Sequence, residues 1–204
     1  MALRSPRVDD DAELVDRLRS GDEAAFSAIV ERYHPSLLRL AETMVPSRAI
    51  AEEVVQETWL GVVRGIARFE GRSSLRTWLF RILVNRARST GAREGRRAFT
   101  SADWLPAVDP SRFGPDGAWA DPPTPWPEQV DDRLTAEALA ERVRAGLAEL
   151  PELQRQVVTL RDVERVDAQD VCRLLDISDG NQRVLLHRGR SRIRGMLEEE
   201  LGKG

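Results

Sequence analysis

Asn181, Gln182 and Arg183 are consecutive near the end of a 204-residue chain, and each is a side chain suited to a base edge. Asn and Gln pair with adenine, and Arg with guanine, through bidentate hydrogen bonds in the major groove. Around them, residues 177–197 hold five arginines (Arg183, Arg188, Arg190, Arg192 and Arg194) against Asp179 alone. A second basic block, residues 72–97, holds eight arginines against Glu94 alone. Between the blocks, residues 98–137 reverse the balance with eight acids and two arginines. The net charge of −3 conceals this segregation. Two basic blocks flanking an acidic spacer suit two contacts with one polyanion. Composition by itself also allows arginine-rich helix faces that only meet solvent.

Other chemistries lack their residues. One cysteine, Cys172, excludes an intramolecular disulfide and a cysteine zinc cluster. Two histidines, His34 and His187, lie far apart without ligand spacing. There is no paired-carboxylate set, no nucleophile–base set and no phosphate-binding glycine loop. No catalytic residue, metal or cofactor is therefore expected. Cys172 reads as a small core residue, and His187 as a packing or DNA-facing one. The N-terminus has no apolar leader and no apolar run approaches membrane-spanning length, so no membrane insertion and a cytoplasmic, reducing setting are expected.

Helices must position these arginines. Hydrophobic residues make up 41% of the chain and aromatics 5%, so the cores are aliphatic and modest. Residues 1–11 read as a loose acidic arm. Through residues 12–97, Leu14, Leu18, Phe26, Ile29, Val30, Tyr33, Leu37, Leu38 and Leu40 recur at three- and four-residue steps. Ser20, Gly21 and Asp22 end one helix and cap the next. Pro46 and Ser47 break that one, and Ser47 caps a helix through residue 68. Its apolar stripe is expected from Val54, Val55, Leu60, Val62, Val63 and Ile66. Gly71, Arg72, Ser73 and Ser74 form a loop. Ser73 or Ser74 then caps a helix holding Trp78, Leu79, Ile82 and Leu83. Residues 98–127 contain seven prolines, a density no long helix survives. Residues 98–133 therefore read as an acidic linker, whose Trp104, Trp119 and Trp126 suggest docking in a groove. Helical text resumes at residue 134 and continues to residue 204. The fold class is all-α: two small helical domains joined by an irregular Pro-rich linker.

The second domain carries helix-turn-helix grammar. Leu139, Val143, Leu147 and Leu150 space one helix, and Pro151 starts the next, whose Val157, Val158 and Leu160 join the core. Asp167 can cap a short helix buried through Val171, Leu174 and Leu175. Asp176 falls where a tight turn needs a left-handed residue. Ile177 packs inward, and Ser178 caps a longer basic helix whose first turns would enter a major groove. Arg188, Arg190 and Arg192 are placed to reach phosphates.

These segments resemble sigma factors of bacterial RNA polymerase. Residues 150–158 (LPELQRQVV), 160–164 (LRDVE) and 186–190 (LHRGR) are similar to the fourth sigma domain. Residues 51–59 (AEEVVQETW) resemble the polymerase-gripping segment, and residues 69–85 (FEGRSSLRTWLFRILVN) the promoter-opening segment. The short form resembles the extracytoplasmic-function (ECF) group of the sigma-70 family. The resemblance implies that Glu53, Gln56 and Glu57 face the clamp helices of the largest polymerase subunit, with the flap of the second-largest subunit as a further partner. An acidic helix face complements an arginine-rich coiled coil. It further implies that Arg72, Ser73, Ser74 and Asn85 capture a base flipped from the minus-10 element, an extrusion that costs a few kcal/mol. Arg76, Arg81, Arg86 and Arg88 would hold that strand, and Trp78 either wedges the duplex or packs in the core. Ser178, Asn181, Gln182, Arg183, Val184, His187, Arg188 and Arg190 would read the minus-35 element. An anti-sigma factor partner and a monomeric free state are implied as well.

This sequence departs from the family at 181–182 and 184–185, where Val184 and Leu185 remove polar donors from the reading helix. One of the two is expected to touch a thymine methyl and the other to pack inward, so no promoter sequence transfers. Gly91 is expected to end the basic helix near Thr90. The competing reading is an autonomous helix-turn-helix repressor or activator, which predicts a stable homodimer and tight DNA binding without polymerase.

Overall fold

A computed structural model of the chain describes residues 8–93 and 136–201, and the chain divides into two compact units, 1–98 and 99–204. The elements among the described residues are all helices, with no strand. Residues 1–7 of the arm expected at 1–11, and the linker with its three tryptophans, lie outside the described residues.

The first unit comprises α1 (Val8–Arg19), α2 (Glu23–Glu42), α3 (Arg48–Gly65), a 3-10 turn (Ile66–Arg68) and α4 (Leu75–Arg93). Side-chain caps start its helices as their sequences dictate. Asp22 accepts from the Ala25 N–H at 3.0 Å, Ser47 from Ile50 at 3.4 Å, and Ser74 from Thr77 at 3.1 Å. Each satisfies a backbone donor that a helix start leaves orphaned. Ile29, Leu37, Leu40, Val55, Leu75, Leu79 and Leu83 are fully buried. Each such side chain contributes about 1.5–3 kcal/mol relative to exposure.

Two boundaries correct the sequence expectations. Helix α1 begins at Val8, not after Asp11, and so takes in three aspartates, a residue type that favours a helix's first turn. Helix α4 does not stop near Thr90 but continues through Gly91 to Arg93. Glycine costs an exposed helix interior only about 1 kcal/mol, too little to end a helix already anchored by its buried face.

The second unit comprises α5 (Ala136–Glu149), α6 (Glu152–Val158), a π turn (Thr159–Val163), α7 (Ala168–Leu175) and α8 (Asp179–Leu201). Val157, Leu160 and Val171 are fully buried, and Leu150, Leu174, Leu175 and Leu185 nearly so. Helix α8 approaches α6 through Gly189, where an added Cβ would stand 2.4 Å from Val158 Cγ2. The π turn was not legible in the sequence. The Glu164 N–H donates to the Thr159 carbonyl, and Arg165 follows with a φ of 51°.

Candidate nucleic-acid interface

Helices α7 and α8 form the helix-turn-helix. Asp176 ends α7 in the left-handed conformation (φ 58°, ψ 50°), and Ile177 turns inward with 9% exposure. Asp167 occupies the N-cap position of α7 but makes no side-chain cap bond. Ser178 does cap α8, its hydroxyl accepting from the Asn181 N–H at 3.2 Å.

At about 100° per residue, Gln182, Leu185 and Gly189 fall together on one side of α8. All three are buried. Arg183, Val184 and His187 fall on the opposite side, where Arg183 is exposed and the other two are half-buried. The expectation for Gln182 is corrected: at 2% exposure it packs inside the unit and cannot reach a base. Leu185 is the inward member of the Val184–Leu185 pair, also at 2% exposure. Asn181 and Arg188 flank the exposed side, both half-buried. Burial, with Arg192 nearby, pulls the Arg188 pKa down. The His187 ring shares a 3.4 Å hydrogen bond with the Ser191 hydroxyl.

Arg190 serves a different end. Its guanidinium donates to both oxygens of Asp162, at 2.8 and 2.5 Å, and this pairing raises its pKa. It ties α8 to the π turn. Arg192 likewise donates to Gln154 of α6 at 3.3 Å. Cys172 is half-buried rather than a core residue, and burial raises its thiol pKa, so it stays protonated at neutral pH.

In the first unit, Arg81, Asn85 and Arg88 recur at four- and three-residue steps along the outer face of α4, with Arg81 and Asn85 exposed. Arg86 lies off that line yet is also exposed. Arg76 is half-buried, its guanidinium 5.4 Å from the Phe80 ring centre. The loop before α4 turns at Gly71 (φ 69°), a conformation that favours glycine. Arg72 is highly exposed there and pairs with Glu70 at 2.8 Å. Arg19 of α1 donates to the Phe69 carbonyl and so braces the loop from behind. Asn85 shares a face with Ser74 but stands about 16 Å along the helix axis from it. Loop and asparagine therefore line one track rather than one tight pocket. Trp78 packs on Phe69 (ring centres 5.1 Å apart) and close to Gly65, which gives it a packing role in holding α4 against α3.

Glu53 and Gln56 are exposed on α3, and Glu57 is half-buried. The expected apolar stripe of α3 needs correction here. Leu60 is 55% exposed and Val63 58% exposed, while Val54, Val55, Val62 and Ile66 fill the core. Helical spacing puts Leu60 and Val63 on the same face as Glu53 and Gln56.

A helix-turn-helix beside a separate arginine-bearing bundle places the chain in the DNA-binding class of all-α folds. The sigma-70 region 2 model matches residues 29–97, and the sigma-70 region 4 model matches residues 140–193. The ECF RNA polymerase sigma-E factor of Escherichia coli K12 is 31% identical over 183 residues, 90% of this chain and 92% of that one. The RNA polymerase sigma-H factor of Pseudomonas aeruginosa is also 31% identical, over 90% of this chain and 91% of its own. The sigma factor RpoE of Bartonella quintana, solved with the anti-sigma factor NepR, shares the fold. Its TM-score is 0.57 at 22% identity, over 85% of this chain and 96% of that one. The chain belongs to the ECF group of the sigma-70 family. No described helix is long and apolar enough to cross a membrane.

Proposed function

We propose that the chain joins core RNA polymerase, carries it to a promoter and opens the DNA there, acting in the cytoplasm by binding alone and with no catalytic chemistry. One observation carries the reading. Leu60 and Val63 stay exposed beside Glu53 and Gln56, so α3 offers an apolar patch with a polar, partly acidic rim to a protein partner. Such a surface suits the clamp helices of the largest polymerase subunit. A dimerising repressor could bury the same patch against a second copy, so co-purification with core polymerase and a monomeric free state separate the two readings. The second unit is the natural partner of the flap of the second-largest subunit. The free protein is a monomer.

On the DNA, Arg72, Ser73 and Ser74 take the flipped minus-10 base, and Arg81, Asn85, Arg86 and Arg88 follow the strand leading from it. Arg76 supports that helix from its half-buried position. In the second unit, Arg183, Val184 and His187 read the minus-35 element, with Ser178, Asn181 and Arg188 alongside. Val184 offers its methyls to a thymine methyl. Arg190, committed to Asp162, supports the helix rather than the DNA. An anti-sigma factor that covered α3 and α8 would silence both activities at once, as a partner of the kind bound to the Bartonella relative could do.

Run-off transcription with core enzyme over a promoter library tests this reading. The expected result is initiation from a defined subset of promoters, with the chain co-purifying with core polymerase. Tight operator binding by the chain alone, without co-purification, would instead establish the autonomous repressor.

A further inference from the structure

We propose that Asp179 is a specificity-determining residue: its carboxylate holds the Arg183 guanidinium in place and so sharpens the choice of guanine at the base pair Arg183 meets. This rests on the reading of α8 as the minus-35 helix. Asp179 opens α8, and Arg183 follows it by one turn. The two side chains are paired, Arg183 Nη2 donating to Asp179 Oδ2. Acid before base at this spacing is the favourable order on a helix, and a carboxylate in the first turn also suits the helix dipole.

Two other arginines of α8 set the contrast. Arg190–Asp162 and Arg192–Gln154 each tie α8 to another element. The Arg183–Asp179 pair ties α8 to nothing, and its side chains are 51% and 55% exposed. A pair of that kind adds little to stability. Its position does matter to recognition. Arg183 projects opposite buried Gln182 and Leu185, on the side that faces outward from the unit. A free arginine must freeze a long, rotamer-rich side chain before it can make two parallel bonds to guanine. Asp179 occupies one donor position and leaves the other N–H groups of the fork for the base. The carboxylate also repels phosphate, so it lowers affinity for all DNA while favouring the sequence that satisfies Arg183. Asp179 thereby trades general affinity for discrimination.

The test uses full-length chain with its cognate core polymerase and a template library randomised through the minus-35 element. The wild type enriches guanine at one position, and Arg183→Ala abolishes that preference. Asp179→Asn weakens the same preference by about three- to tenfold, a share of what one bidentate base contact supplies. At the same time it leaves transcription from templates lacking that guanine unchanged or raises it. Asp179→Glu restores the preference, and Asp179→Asn has no further effect in an Arg183→Ala background. An Asp179→Asn variant that keeps the full preference, or that loses activity equally on every template, overturns the proposal. If Arg183→Ala itself leaves every base preference intact, the minus-35 reading of α8 fails and takes this inference with it.

Discussion

The two units seat their arginine-bearing helices, α4 and α8, in opposite ways. In the first, α4 is the bulky partner: Ile82 and Trp78 press toward Gly61 and Gly65 of α3, where an added Cβ would lie 3.1 and 3.2 Å away. In the second, α8 itself carries the notch, at Gly189, and α6 fills it with Val158 at 2.4 Å. Contacts just above 3 Å at the ends of side chains can relax by small rotations. At Gly189 the methyl of an alanine would overlap Val158, a branched side chain that turns least freely on a helix, with Leu150 Cδ1 and the Gln154 carbonyl at ordinary contact distance around it (3.5 and 3.6 Å). Both units thus place a glycine at the close approach of two helices, on α3 in the first and on α8 in the second, and the second leaves the least room.

Substitution of those glycines should break the comparison most severely. Gly189→Ala is expected to destabilise the second unit by about 2 kcal/mol through overpacking. Gly65→Ala should nearly balance, since its helix-propensity gain of about 1 kcal/mol offsets a mild clash. Thermal unfolding of the two variants checks both, and equal losses would remove the distinction.

Next in size is the apolar face of the first unit. The double variant Leu60→Asp, Val63→Asp should weaken binding to core polymerase at least about tenfold, roughly 1.4 kcal/mol, without lowering the unfolding midpoint. A fallen midpoint would mean the two residues belong to the core after all. Asp162→Asn in the second unit should cost about 1 kcal/mol of stability, discounted because both partners are partly exposed. Promoter transcription would then fall alike on all minus-35 sequences. A change in base preference would return Arg190 to the reading surface.

The smallest effect concerns acid. The Ala25 N–H and then the Arg17 guanidinium hold the Asp22 carboxyl below its ordinary value of 3.8. A depressed carboxylate contributes stability that is complete above the unfolded value and lost as pH falls through the folded one. Asp22→Asn keeps a cap without the charge. The stability gap between wild type and this variant should therefore shrink between about pH 5 and pH 2. A gap that stayed constant with pH would mean that the charge contributes nothing.

Much of this was legible in the residues. Caps at Asp22, Ser47, Ser74 and Ser178, the left-handed turn at Asp176 and the order of the helices all follow from local chemistry. The errors share a cause. On α3 the expected stripe spans too wide an arc: helical spacing sets exposed Leu60 and Val63 with Glu53 and Gln56, apart from buried Val62 and Ile66, and residue type alone hides the difference. Gln182 misled in the opposite direction, because a polar side chain entered the interior where only its place on the helix, not its type, decided burial. Asp162 gave no sign of its role, since its partner Arg190 stands 28 residues away. The π turn that presents it has no sequence signature of its own.

Helix α8 also divides its labour along its length. Arg183, Val184 and His187, on the outward side ahead of Gly189, are the residues proposed to select a sequence, while buried Gln182, Leu185 and Gly189, with Arg190 and Arg192, hold the helix to its own unit. Selection and anchorage are thus separable parts of one continuous rod. If α8 reads the promoter as proposed, new target preferences can be written at 183, 184 and 187 while the mount stays untouched, which makes this helix a starting point for retargeting the protein to a chosen promoter.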